Sequence, residues 1–185
     1  MASKGFYQQG PEELSWETPP ALFDALWKKF DGFDFDPCCR VGQYTARRVL
    51  DNHGTICIPP TKSSGSYTTP RTRVFSDGLA QAWWGKVFMN PPYARGEIIK
   101  WVSWAYAQVA HGQADLVCAL LPVRTDTRWW QSFICGGAGE AGIVQGFEAL
   151  GKASDIHFLP KRQTFVGANN QARFASCIVI WGKVA

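Results

Sequence analysis

The sequence predicts an α/β protein: a mostly parallel sheet flanked by helices and finished by an antiparallel hairpin at the C-terminus. Three observations lead there. Apolar runs at 87–89 and 115–122 are separated by a helix-period stretch, the βαβ arrangement that joins parallel strands. An alternating run, Phe33-Asp34-Phe35-Asp36, stops at Pro37 and precedes a short helical stretch. After residue 150 three β-type runs follow one another with no helix between them.

The 185 residues suffice for one domain with a full core and are short for two. Residues 1–15 show no periodicity and read as a flexible arm, leaving residues 16–185 as the folded unit. A hydrophobic fraction of 46% and nine tryptophans fit a folded protein. No apolar run reaches the roughly 20 residues needed to cross a bilayer. The N-terminus lacks the apolar segment of a secretory signal. A cytoplasmic protein with no membrane partner is therefore expected. The six cysteines show no CxxC spacing and several sit in apolar runs, so reduced core thiols are expected rather than disulfides. Only His53 and Cys57 lie close together among plausible ligands, so no metal site is expected.

Charge is unevenly spread. The net charge is +4, yet residues 40–73 hold Arg40, Arg47, Arg48, Lys62, Arg71 and Arg73 against Asp51 alone. That segment carries +5, leaving the remainder at about −1. Such concentration is what contact with a phosphate backbone requires, although a solvated surface loop has the same composition.

The elements follow in order. Thr18 is a suitable N-cap and Pro19 a suitable first helical residue. Leu22, Phe23, Leu26, Trp27 and Phe30 then share one helical face. Free N–H groups at that helix start can hold an anion such as a carboxylate. The run 33–37 reads as a strand ending on the Asp36 carboxylate, with a turn through Cys38, Cys39, Arg40 and Gly42 and a short helix at 44–50. Residues 56–58 form a candidate strand ended by two prolines. Residues 61–73 form a long Ser/Thr/Gly-rich loop carrying Lys62, Arg71 and Arg73, and loops of that length are often functional. Residues 75–79 form a turn with a further carboxylate, Asp77. Ile98, Trp101, Val102, Ala105 and Val109 make one helical stripe closed by Gly112. Thr125-Asp126-Thr127 can cap a helix over 128–133. Residues 155–159, 163–166 and 174–181 are β runs. The last two, joined by 167–171, read as the hairpin.

The stiffest feature is the loop after the 87–89 strand, Asn90-Pro91-Pro92-Tyr93. Its prolines cannot extend a ladder and hold Asn90 extended. It sits at the carboxyl end of a strand, where open α/β sheets bind ligands. Asn90 Oδ1 and the Pro91 carbonyl can accept from the two hydrogens of a planar NH₂ group. That pulls density onto its nitrogen and stabilises the charge that develops on methyl transfer. Tyr93 offers a face for a planar group to stack on, as for a flipped base.

The segments WETPPALFDAL, FDFDPC, FSDGL, WWGKVFMNPPY, LLPVRTDTRWW and IHFLPKRQTF with FASCIVIW resemble the DNA adenine-N6 methyltransferases, in particular the small phage-encoded Dam-like family. They occur in that family's order and cover most of residues 15–181. The resemblance implies a Rossmann-like methyltransferase fold, S-adenosylmethionine as donor and double-stranded DNA as partner. It gives Asn90, Pro91, Pro92 and Tyr93 the target adenine. It gives Thr18, Pro19, Asp36, Pro37, Cys38 and Asp77 the donor. Arg47, Arg48, Lys62, Arg71, Arg73 and Arg95 are the candidate DNA contacts. No separate target-recognition domain has room in the chain.

Other readings of the residues stay open. The same tetrapeptide can hold an RNA base or a protein glutamine amide. Gly137-Ala138-Gly139-Glu140-Ala141-Gly142 fits the GxGxxG dinucleotide pattern with Asp155 at about the right distance. However, a Trp-rich stretch precedes it and β runs follow, so a glycine-rich connector fits better than an NAD-dependent enzyme. A non-catalytic DNA-binding protein is the remaining alternative.

Overall fold

Along residues 116–121, successive side chains enter two different cores. Leu116, Cys118 and Leu120 join one with Phe23, Phe33 and Phe88, while Val117, Ala119 and Leu121 join another with Trp83, Trp101 and Trp130. Alternation with both faces apolar marks a sheet covered on each side. The computed structural model describes residues 17–39, 43–51, 54–57, 74–75, 77–136 and 150–183. The expected arm at 1–15, Arg40, the loop residues Lys62, Arg71 and Arg73, and the glycine-rich run 137–142 lie outside them.

The elements are α1 (Pro20–Phe30), β1 (Phe35–Asp36), α2 (Tyr44–Asp51), β2 (Thr55–Cys57), β3 (Val74–Phe75), β4 (Gly85–Met89), α3 (Ile98–Ala110), β5 (Ala114–Pro122), α4 (Arg128–Phe133), β6 (Asp155–Phe158) and β7 (Ser176–Gly182). They form a seven-stranded sheet in the order β3-β2-β1-β4-β5-β7-β6. The first five strands are parallel, and β7 and β6 close the sheet as an antiparallel pair. This is the mixed, mostly parallel Rossmann-like sheet that the sequence predicts.

α1 packs Phe23, Leu26 and Phe30 inward on the face that its periodicity defines. Its last carbonyls are satisfied from the sheet: Lys86 Nζ donates to Phe30 O at 2.7 Å and Asp31 O at 2.8 Å. α3 ends as expected, with Gly112 at φ +68° just beyond it and the Gln113 N–H on Gln108 O at 2.8 Å.

Several expectations are corrected. The N-cap of α1 is Pro19, one residue later than Thr18, and the helix starts at Pro20. Pro19 and Pro20 have no N–H, and the Leu22 and Phe23 N–H groups already bond Pro19 O at 3.0 and 3.1 Å. The anion-holding donors expected at this end therefore reduce to the Ala21 N–H. α4 is capped by Thr127 without a side-chain bond to its first turn; the Thr127 hydroxyl donates instead to Arg124 O at 2.7 Å. Residues 163–166 are not a strand of the hairpin. β7 pairs with β6, Phe158 facing Cys177 and Asp155 facing Ile180. The 163–166 run is diverted because Phe165 is buried against the α1 side and Val166 bridges backbone to backbone with Glu17. β3 falls where the sequence shows only a turn and its approach.

Among the described residues five cysteines are free thiols, with Cys39, Cys118 and Cys177 buried and Cys135 exposed. Burial pushes the Cys177 thiol up to about 12 and raises that of Cys118 as well, which leaves both protonated and inert. Among the described residues no helix is long and apolar enough to cross a membrane, and no group of His, Cys, Asp or Glu is arranged to hold a metal.

Candidate active site

The strand order reverses between β1 and β4. From β1 the chain steps outward to β2 and β3, then returns to place β4 on β1's other side and builds β5 beyond it. The crevice outside the carboxyl ends of two such strands is where open α/β sheets take ligands. Here it is flanked by Asp36-Pro37-Cys38 after β1 and Asn90-Pro91-Pro92-Tyr93 after β4.

Asn90 is half-buried at the end of β4 and its amide is held at both ends. Nδ2 donates to Thr18 Oγ1 at 3.1 Å, and Oδ1 accepts from the Tyr93 hydroxyl at 2.7 Å. Thr18 is 1% exposed, so its hydroxyl acts inside the structure and faces Asn90. The Tyr93 hydroxyl also lies 2.9 Å from Leu120 O in β5. It has one proton, which it gives to either acceptor. Burial, with the Cys177 and Cys38 sulphurs nearby, holds the Tyr93 phenol well above its ordinary pKa, so it stays a donor. Its ring is walled edge-on by Phe165 and Phe174, with centroids at 6.2 and 5.6 Å, and is only half-buried. Pro91 is buried and Pro92 half-buried beside it.

On the β1 side, Asp36 is 2% exposed. Burial pushes its carboxyl up to about 7, against hydrogen bonds from the Cys38 and Cys39 backbone and the Thr45 side chain that pull it down. The Cys38 N–H reaches Asp36 Oδ1 at 3.0 Å, closing the turn that follows β1. Asp77 is exposed and shapes the neighbouring turn by accepting from the Leu79 N–H at 2.9 Å. That turn is pressed onto the Asp36-Pro37 turn: any Cβ at Gly78 would collide with the Pro37 carbonyl oxygen. Trp83 pins it from behind, giving its indole N–H to Gly78 O at 2.7 Å and taking Gln108 Oε1 on its backbone N–H at 2.8 Å. Thus Thr18, Pro19, Asp36, Pro37, Cys38 and Asp77 all lie in segments that end at this crevice.

The candidate DNA contacts are dispersed. Arg47 is exposed on α2 and Arg95 is exposed in the turn after Tyr93. Arg48 lies with its guanidinium 4.8 Å from the Trp27 ring centre and 3.8 Å from Asp24, so α1 already occupies it. Lys62, Arg71 and Arg73 are outside the described residues.

Residues that the sequence does not single out also meet here. Phe165 and Phe174 come from the connection between β6 and β7, and Arg124 lies 5.8 Å over the Phe174 ring. Their only signal in the sequence is the aromatic residue on each side of a polar loop.

A family model described as DNA N-6-adenine-methyltransferase (Dam) matches residues 61–183. Among solved structures the fold is similar to that of a putative RNA methyltransferase from Pyrococcus horikoshii, with a TM-score of 0.59 and 15% identity over 98% of this chain and 93% of that one. At that identity the likeness speaks for the methyltransferase fold alone. No curated protein matches the chain. The family match takes in the Asn90–Tyr93 loop, Asp77 and the β6–β7 pair, while Thr18 and Asp36 precede it. Family and fold together imply S-adenosylmethionine as the methyl donor. With more than half of its length matched, the chain belongs to the DNA N-6-adenine-methyltransferase (Dam) family.

Proposed function

We propose that the protein transfers a methyl group from S-adenosylmethionine to the N6 amino group of adenine in double-stranded DNA. The target base is flipped into the pocket made by Asn90, Pro91, Pro92 and Tyr93. The observation that carries this reading is the Asn90 amide, tied at Nδ2 to Thr18 and presented at the strand-order reversal. With Nδ2 donating to Thr18 and Oδ1 accepting from Tyr93, an incoming amine would meet the oxygen end.

The donor side of the crevice is built from the turns after β1 and before β4. Two turns meet edge to edge, Gly78 against Pro37, and a buried carboxyl fixes the shape of one of them. Thr18, Pro19, Asp36, Pro37, Cys38 and Asp77 would line the donor there. Bound, the donor supplies an electrophilic methyl group.

The rest follows from this chain's own atoms. Adenine's amino nitrogen is a poor nucleophile because its lone pair is delocalised into the ring. Asn90 Oδ1 and the Pro91 carbonyl, accepting from its two hydrogens, return density to the nitrogen and stabilise the positive charge that grows on it. One lone pair of Asn90 Oδ1 is taken by Tyr93. Turning that phenol proton to Leu120 O, 2.9 Å away, frees the oxygen for the amine. The Tyr93 ring is the stacking surface.

The purified protein should move labelled methyl from S-adenosylmethionine into duplex DNA, and Asn90→Ala should abolish the transfer. Equal or greater labelling of RNA, or of protein glutamine, would overturn the substrate assignment. DNA binding without donor binding by calorimetry would overturn the enzymatic one.

A further inference from the structure

The connection from β6 to β7, residues 159–175, stands beside the candidate active site and is rich in basic residues. β7 begins where β5 ends, Ser176 facing Pro122, and β6 ends beside it, Phe158 facing Cys177. The connection therefore stands at the same edge of the sheet as Asn90–Tyr93. It is fastened there at three points: Val166 N–H to Glu17 O at 3.0 Å, one residue before Thr18; Phe165 and Phe174 against Tyr93; and Val123 N–H to Ala175 O at 2.8 Å. Its neck is closed by the Ala172 N–H on Gln163 O at 2.8 Å. The next residue outward on each side of that bond is Arg162 or Arg173.

The chemistry of the neck is one-sided. Lys161, Arg162 and Arg173 are all exposed, and none forms an ion pair among the described residues. Residues 156–183 contain no aspartate or glutamate. Arg173 is followed directly by Phe174, a wall of the Tyr93 pocket. Three unpaired cations thus stand at the rim of the site. Nothing in the core needs them.

We propose that Lys161, Arg162 and Arg173 hold backbone phosphates of duplex DNA beside the flipped nucleotide, making the β6–β7 connection the element that seats DNA on the site. The assignment rests on the DNA reading given above. Flipping a base draws its own and its neighbours' phosphates toward the pocket, and cations at the rim meet them there. Such contacts set the register of the duplex and carry no sequence information.

The test is binding of a fluorescent duplex to the full chain at several salt concentrations. In the triple variant K161Q/R162Q/R173Q, loss of three phosphate contacts lowers the slope of log K against log salt by about 2.7. A control triple, K28Q/K152Q/K183Q, removes the same charge from the opposite edge of the sheet and leaves the slope as in the wild type. Unchanged melting temperature establishes that both triples fold. An unchanged slope in the rim triple, or an equal fall in both triples, would overturn the proposal. So would loss of single-stranded RNA binding with duplex binding intact. Methyl transfer is scored separately in the wild type: absence of N6-methyladenine there refutes the function while the slope still judges the grip.

Discussion

Replacing Thr18 with valine keeps the shape of a 1% exposed side chain and removes its hydroxyl. The consequence falls on Asn90, 72 residues away, whose Nδ2 loses its acceptor at 3.1 Å. A neutral hydrogen bond contributes about 1 kcal/mol net, and a buried donor left unpartnered costs about 1–3 kcal/mol. The two ends of an amide are nearly the same size, so its orientation rests on such bonds. With the Thr18 bond gone, the preference for Oδ1 outward weakens, and about 1 kcal/mol of lost bias is roughly five-fold in the ratio of the two orientations. Thr18→Val should therefore lower the single-turnover rate of methyl transfer by about two-fold, the loss when the two amide orientations become equally populated. DNA affinity should stay unchanged. Thr18→Ser restores the acceptor and should recover most of the rate. Single-turnover rates and a duplex Kd on the same preparations separate the two effects. A Thr18→Val rate equal to wild type, or a Thr18→Ser rate as low as Thr18→Val, would refute the role of the hydroxyl in holding Asn90.

Asp36 gives a pH prediction of unusual sign. Its carboxyl titrates near 7 in the folded protein against 3.8 for the ordinary group. Between those values the folded chain binds more protons than the unfolded one, so stability falls as pH rises from about 4 to 7; the cost is absent below that window and complete above it. At about 1.4 kcal/mol per unit the cost is at most about 4 kcal/mol. Asp36→Asn keeps an acceptor for the Cys38 N–H and removes the charge, so its advantage in melting temperature should grow from pH 4 to pH 8; a constant difference would contradict burial as the cause. Gly78→Ala forces a methyl into the Pro37 carbonyl and should cost roughly 1–3 kcal/mol in urea unfolding, with weaker donor binding; wild-type stability would refute the close approach.

Some of this molecule is written locally and some is not. The strand at 87–89, its proline stop and the amphipathic α1 and α3 are visible because burial there has the period of the element. The hairpin partner is not. β6 is an edge strand whose residues are all partly or fully exposed, so Asp155 and His157 dilute its pattern, whereas 163–166 alternates like a strand only because Phe165 fills a gap beside Tyr93. β3 is two residues long and shows no period at all. At the site, Asn90 and Tyr93 are legible from the stiffness of their loop. The bond from Thr18 to Asn90 is not, because it joins segments far apart in sequence through the order of β1 and β4. For the same reason Thr18 reads as a helix cap when considered with its neighbours alone. Arg162 and Arg173 escape notice among a scattered set of basic residues until the Gln163–Ala172 bond brings them to one neck.

The central claim is that Asn90 presents its amide oxygen to the amino group of a flipped adenine. Its most direct test is digestion of duplex DNA to nucleosides after incubation with the protein and labelled S-adenosylmethionine, with mass spectrometry locating the methyl group. The account predicts N6-methyldeoxyadenosine from the wild type and none from Asn90→Ala. Methyl on cytosine, on a ring nitrogen of adenine, or undiminished on adenine with Asn90→Ala would contradict it.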